Sequence, residues 1–62
     1  MQRQYLTTKE AALYLGMSES WLNQRRMAGK QPAYHKVGRL VRYTTEDLDR
    51  WVRSNRKGGK DE

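Results

Sequence analysis

Between Thr7 and Gly29 the chain carries two helix-start and two helix-stop signals, a punctuation that leaves few folds open. Thr7-Thr8-Lys9-Glu10 reads as a capping box. The Thr7 hydroxyl takes a free amide of the first turn, and Glu10, at the third helical position, reaches back to the cap. Leu6 precedes the cap and staples onto Ala11, and Ala11, Ala12 and Leu15 then share one helical face. Gly16 ends this helix, because the left-handed closing position suits a residue without a Cβ. Met17 fills the turn, Ser18 is the next N-cap, and Glu19 favours the positive end of a second helix. That helix is expected to run to about Ala28 and stop at Gly29. Two short helices joined by a turn of about three residues make a helix-turn-helix pattern. The spacing alone also fits an ordinary helical hairpin in a small bundle.

The next stretch narrows the choice. Gln31-Pro32 breaks helicity, since the residue before proline is pushed out of the helical region. Tyr34-His35-Lys36-Val37 and Leu40-Val41-Arg42-Tyr43 are two strand-like segments around Gly38-Arg39, a pair suited to a two-residue type II′ hairpin. In that register Tyr34, Lys36, Val41 and Tyr43 face the core, with the Lys36 ammonium snorkelling outward. His35, Val37, Leu40 and Arg42 face the other side. A third helix starts near Thr44 or Thr45, with Glu46, Asp47 and Asp49 at its positive end. Leu48, Trp51 and Val52 form its expected buried stripe. The predicted architecture is mostly α with a small β-hairpin: helix, helix, two-stranded wing, helix. Residues 1–55 make the domain and 56–62 a frayed tail, where two glycines and no apolar side chain occur.

Composition then excludes several functions. Sixty-two residues allow one domain with a thin core and leave no room for a substrate cleft on a supporting scaffold. There is no cysteine and one histidine, so no disulfide, thiolate zinc or histidine-rich metal site is expected, and no cofactor. No long apolar run or secretory leader is visible, which points to a cytoplasmic protein with no membrane partner. His35, the one histidine, reads as an exposed strand residue with no carboxylate or nucleophile positioned beside it, so no catalysis is expected.

The net charge of +6 is segregated. Residues 20 to 45 hold Arg25, Arg26, Lys30, Lys36, Arg39 and Arg42 and no acid, while basic and acidic residues cancel in the flanks. A merely soluble surface has no need of such sorting; a face laid against phosphates does. On the second helix Leu22 points inward, and Ser20, Asn23, Gln24 and Met27 lie away from it. Ser, Asn and Gln are types that read base edges, and Asn or Gln can bond adenine N6 and N7 together. Gln24 is the leading candidate, followed by Ser20 and Asn23. Trp21 either packs half-buried beside the first helix or lies against a sugar or thymine methyl. Ser18 is first a cap, although its hydroxyl and the helix N-terminus suit a phosphate. Arg39 at the wing tip fits a phosphate or a narrow minor groove, and Lys36 and Arg42 fit backbone phosphates.

In order and spacing, these residues resemble a known family. Leu6-Thr7-Thr8-Lys9-Glu10-Ala11-Ala12 followed by Tyr14-Leu15-Gly16-Met17-Ser18 is similar to the opening of excisionase-type, MerR-like winged-helix DNA-binding domains. Gly29, Pro32, Tyr34, Lys36, Gly38-Arg39, Val41-Arg42-Tyr43 and Asp47-Leu48-Asp49-Arg50-Trp51-Val52 continue the match through residue 52. The family includes phage and integrative-element excisionases and AlpA-like transcriptional regulators. The resemblance implies a second helix in the major groove and a wing on the adjacent minor groove and backbone. It assigns DNA contacts to Ser20, Trp21, Asn23, Gln24 and Arg26 in the helix and to Lys36, Arg39 and Arg42 in the wing. Arg25 stands where the family is often apolar, which leaves open whether Arg25 or Arg26 points at DNA. The implied mechanism involves no covalent chemistry. A monomer in solution binds double-stranded DNA in several cooperating copies, bends it beside an attachment site and recruits a tyrosine-type integrase. A small transcriptional regulator is the alternative.

Overall fold

The computed structural model describes residues 5–57. Its elements in chain order are β1 (Tyr5–Leu6), α1 (Thr8–Leu15), α2 (Glu19–Met27), β2 (His35–Val37), β3 (Leu40–Thr44) and α3 (Thr45–Ser54). The strands pair antiparallel in the order β1-β3-β2. This is a winged helix-turn-helix, with one strand more than the residue pattern predicts.

The helix starts follow from their caps. Thr7 Oγ1 accepts the Glu10 N–H at 3.1 Å, and Glu10 Oε1 accepts the Thr7 N–H at 2.9 Å. Ser18 Oγ accepts the Trp21 N–H at 3.0 Å, and Thr44 Oγ1 accepts the Asp47 N–H at 3.1 Å. Gly16 closes α1 at φ 73°. A side chain there would meet no neighbour within 4 Å, so its cost would be purely conformational, about 1–2 kcal/mol. Residues 16–18 form the turn that sets α2 against α1.

β1 is the unpredicted strand. Tyr5 pairs with Thr44 and Leu6 with Tyr43. Two residues carry no alternation to read, and the partner lies far along the chain. The pairing covers one edge of β3 and carries Leu6 into the core.

In the wing, Val37 faces Leu40, Lys36 faces Val41 and His35 faces Arg42. Gly38-Arg39 is therefore the expected two-residue loop. Gly38 has φ 65° and Arg39 is not at positive φ, the sign pattern of a type II′ turn. Tyr43 is fully buried and Val41 half-buried against the helices, as the predicted register requires. Tyr34 departs from expectation: it precedes β2 and is exposed, its ring 6.2 Å from that of Tyr43. The Gln31–Pro32 peptide between α2 and the wing is cis.

The core consists of Leu6, Ala11, Ala12, Leu22, Tyr43 and Leu48, with Leu15, Trp21 and Val41 packed against it. Two alanines on α1 let its neighbours approach closely. Leu22 and Leu48 have no exposed surface, so truncating either to alanine would cost about 2–5 kcal/mol. The stripe on α3 is narrower than predicted. Leu48 is its buried member, Trp51 is half-buried at the edge, and Val52 is 49% exposed. No further element covers the Val52 side among the described residues; Val52 lines a shallow groove with Tyr14, Leu15, Asp49 and Arg53. Tyr14 Oη donates to Asp49 Oδ1 at 2.6 Å in that groove. Of the expected tail, Arg56 and Lys57 are exposed and outside any helix or strand, and residues 58–62 lie outside the described residues.

Candidate nucleic-acid interface

The outward side of α2 is built by its own periodicity. Leu22 points into the core, and Ser20, Gln24 and Met27 fall at i, i+4 and i+7 on an exposed stripe. Met27 is 83% exposed, the most exposed large apolar side chain among the described residues. Asn23 is half-buried beside this stripe. Ser18 spends its hydroxyl on the cap of α2, one turn before Leu22.

The two adjacent arginines point to different sides of α2. The Arg25 guanidinium lies 5.1 Å from the Trp21 ring and 5.3 Å from the Trp51 ring, and the two indoles are 6.0 Å apart. Its Nε donates to the carbonyl of Gln31. Arg25 therefore ties α2 to α3 and to the loop before the wing. Trp21 is half-buried and packs on the core, the first of its two predicted roles, and Trp51 reaches the core through it.

Arg26 is held on the opposite flank. Its Nη2 donates to Asn23 Oδ1 at 2.7 Å, and its Nη1 to the Tyr43 hydroxyl at 3.1 Å and to Thr8 Oγ1 at 3.5 Å. The Tyr34 ring lies 6.0 Å from the same guanidinium. Asn23 has one acceptor site of its oxygen committed to Arg26, whereas its NH₂ is uncommitted toward a base edge. Gln24 is exposed and makes no such contact, so both ends of its carboxamide are presented outward. Bidentate bonding to adenine requires both ends.

On the wing, Lys36 and Arg39 are exposed, Arg39 at the tip. Arg42 is half-buried, and its Nη1 donates to the Val41 carbonyl at 2.8 Å. Lys30 was not among the predicted contact residues. It is exposed beside Gln24 in a shallow depression lined also by Trp21, Arg25 and Ala28, and its membership in the acid-free stretch was the available signal. Thr8, Trp51, the Tyr43 hydroxyl and the Gln31 carbonyl were also not foreseen, because their roles depend on contacts between distant segments.

His35 differs from expectation. Its Nε2 lies 3.2 Å from Asp47 Oδ2, and Asp47 Oδ1 accepts from Arg50 Nη1 at 3.2 Å. The Asp47 carboxylate is thus shared at the root of the wing, joining β2 to α3. No third group completes a catalytic arrangement around this pair among the described residues, and no cluster there could hold a metal ion. No helix among the described residues is long and apolar enough to cross a membrane.

The acid-free stretch thereby forms α2 beyond Glu19, the loop after it and the wing, while Asp47 of α3 lies at the wing root and Asp49 in the groove with α1. A family model described as a helix-turn-helix domain matches residues 5–56, covering both helices of the turn, the wing and α3. No curated protein matches the chain. With the fold and the family match agreeing, this chain belongs to the helix-turn-helix domain family of DNA-binding proteins.

Proposed function

We propose that the protein is an excisionase-type architectural DNA binder. It lays α2 in a major groove and the wing on the adjacent minor groove and backbone, and it favours excision by bending an attachment site and recruiting an integrase. The observation that carries this reading is the coincidence of charge and shape. Every cation of the acid-free stretch belongs to α2, the wing or the loop between them, and the exposed stripe of α2 carries Ser20 and Gln24. A small module of this kind buries roughly 600–1,000 Å² on DNA, so useful affinity calls for neighbouring copies or a second protein.

Roles divide by what each side chain has left to offer. Gln24 reads a base through its carboxamide, Ser20 supports it, and Asn23 contributes chiefly its NH₂, its carboxamide oriented by Arg26. Lys30, Lys36, Arg39 and Arg42 anchor to phosphates, whereas Arg25 and Trp21 hold α2 in position. Ser18 caps α2 and presents its N-terminus to the backbone.

Two measurements test this. Gln24→Ala should cost about 1–3 kcal/mol of discrimination at one base position, while Arg39→Ala weakens all sequences alike. Equal loss of specificity from both would refute the division. An excision assay with the cognate integrase should lose product when the protein is omitted. Undiminished excision, with promoter DNA still bound, would assign the same domain to transcriptional regulation.

A further inference from the structure

The tip of the wing is apolar as well as basic. Val37 and Leu40 are 63% and 54% exposed, face each other across the hairpin and flank Gly38-Arg39. Apolar side chains scattered singly on a surface need no explanation. These two form one uncovered cap at the tip of a tight turn. His35 and Arg42, the pair two residues nearer the root, lie on the same outer face of the sheet, and the Tyr5 ring meets His35 edge-on at 6.1 Å. Arg39 sits in the turn between them, Arg42 shares their face, Lys36 adjoins Val37 on the opposite face, and no acid occurs between residues 36 and 43.

We propose that Val37 and Leu40 seat on the deoxyribose edges that wall a DNA minor groove, with the three wing cations on the bordering phosphates. This rests on the DNA-binding reading above and specifies which part of the duplex the wing touches. Deoxyribose presents C–H surface directly beside phosphate, which matches an apolar pair beside cations. A protein partner fits less well. Two half-exposed side chains bury far less than the roughly 1,000 Å² of a stable protein interface, and the neighbouring cations would demand an acidic partner. Width decides how deep the wing goes. Paired strands lie about 4.8 Å apart before side chains are added, and the minor groove is about 6 Å wide. Only the Arg39 side chain therefore enters, and Val37 and Leu40 ride on the rim against sugars rather than between base steps.

The test uses the full chain and duplexes that it selects from a random pool. Hydroxyl-radical cleavage reads the sugars, and dimethyl sulfate reads guanine N7 in the major groove. The double variant V37T/L40T keeps charge and strand propensity. It should lose sugar protection beside the α2 site while N7 protection persists, and affinity should fall roughly tenfold. The slope of log K against log salt should stay unchanged, since no phosphate contact is removed. V37I/L40M, which keeps the apolar area, should restore both protection and affinity. If the first variant melts early, the single variants Val37→Thr and Leu40→Thr carry the test, each giving part of the loss at an unchanged melting temperature. Unchanged sugar protection and affinity in the polar variants would overturn the proposal and leave the DNA-binding reading standing. Loss of integrase recruitment with DNA contacts intact would also overturn it, assigning the cap to a protein. A wild type that protects neither sugars nor N7 on any selected duplex would overturn the DNA reading and the wing proposal with it.

Discussion

The guanidinium of Arg25 lies 5.3 Å from the ring of Trp51, a residue of a different helix, and 5.1 Å from that of Trp21 on its own. One cation therefore faces two π surfaces while its Nε is held by the Gln31 carbonyl. A planar guanidinium stacks in this way and an ammonium does not. Arg25, one of the candidate DNA contacts, thus braces α2 against α3 and the loop before the wing in the free chain.

Replacing Arg25 should therefore act on folding before it acts on DNA. Arg25→Ala is expected to lower stability by about 1–2 kcal/mol, from two cation–π contacts and the packing of the stem. Arg25→Lys keeps the charge and should recover little of that loss. Urea unfolding followed by tryptophan fluorescence measures it, and the salt slope of DNA binding should be unchanged in both variants. A slope that falls by about one on removing Arg25 would place its charge on a phosphate after all.

Arg26 predicts a different phenotype, because it bonds to a candidate reading residue. Tyr43→Phe removes one acceptor from a half-buried guanidinium and should cost about 1–3 kcal/mol of stability. Arg26→Ala also releases the Asn23 carboxamide oxygen. Base preference should then change at the position read by Asn23 and persist at the position read by Gln24. Binding-site selection with the two proteins separates the positions, and a uniform loss across the site would show that Arg26 contacts the backbone directly.

What could be read from sequence divides along physical lines. Caps and turns were legible because each is a local contest over a few amides: Thr7, Gly16, Ser18 and Gly38 all do in the fold what their chemistry requires. The inward faces of α1, α2 and β3 were legible through Ala11, Leu22 and Tyr43, since periodicity alone sorts them. β1 was not, because Tyr5 and Leu6 are a strand only by virtue of pairing with Thr44 and Tyr43. Val52 was misassigned because the groove between α1 and α3 stays open beside it: Leu48 is the one buried side chain of α3, and Asp49 and Trp51 make contacts at its edges. At the candidate interface, the segregation of charge marked the face. It did not show which cations were already engaged, since the partners of Arg25 and Arg26 lie in α1, α3 and the sheet.

The Tyr14–Asp49 hydrogen bond between α1 and α3 should leave a signature at high pH. This bond raises the Tyr14 pKa above its ordinary value of 10.0, as do partial desolvation and the negative charge of Asp49, with Arg53 opposing. A folded-state pKa above the unfolded one means the contribution is fully present below about pH 10 and is lost as the pH rises through the raised value. Tyr14→Phe should therefore remove the last part of the tyrosinate absorbance titration and flatten the alkaline decline in stability. A titration identical at its upper end in wild type and variant would show that the bond does not persist in solution.

The ionic-strength dependence of DNA binding offers the sharpest count of free charge. Six cations occupy the acid-free stretch, which on charge alone sets a limit near −5 for the slope of log K against log salt. Two of the six, Arg25 and Arg26, are engaged within the fold by aromatic rings, the Gln31 carbonyl, Asn23 and Tyr43. Arg42 gives one Nη to the Val41 carbonyl and keeps its other donors, so it joins Lys30, Lys36 and Arg39 as the cations of the stretch left to displace counterions. The slope for one bound copy should therefore be no steeper than about −4. Titrations at several salt concentrations, on a duplex short enough for a single copy, give the number directly. Arg39→Ala should then reduce its magnitude by about one. Removing Gln24 should leave it unchanged, because a carboxamide on a base edge releases no counterion. A slope near −5 that falls on replacing either Arg25 or Arg26 would mean that these arginines leave their internal partners on binding, and that α2 meets DNA in a different orientation from the one that the folded chain presents.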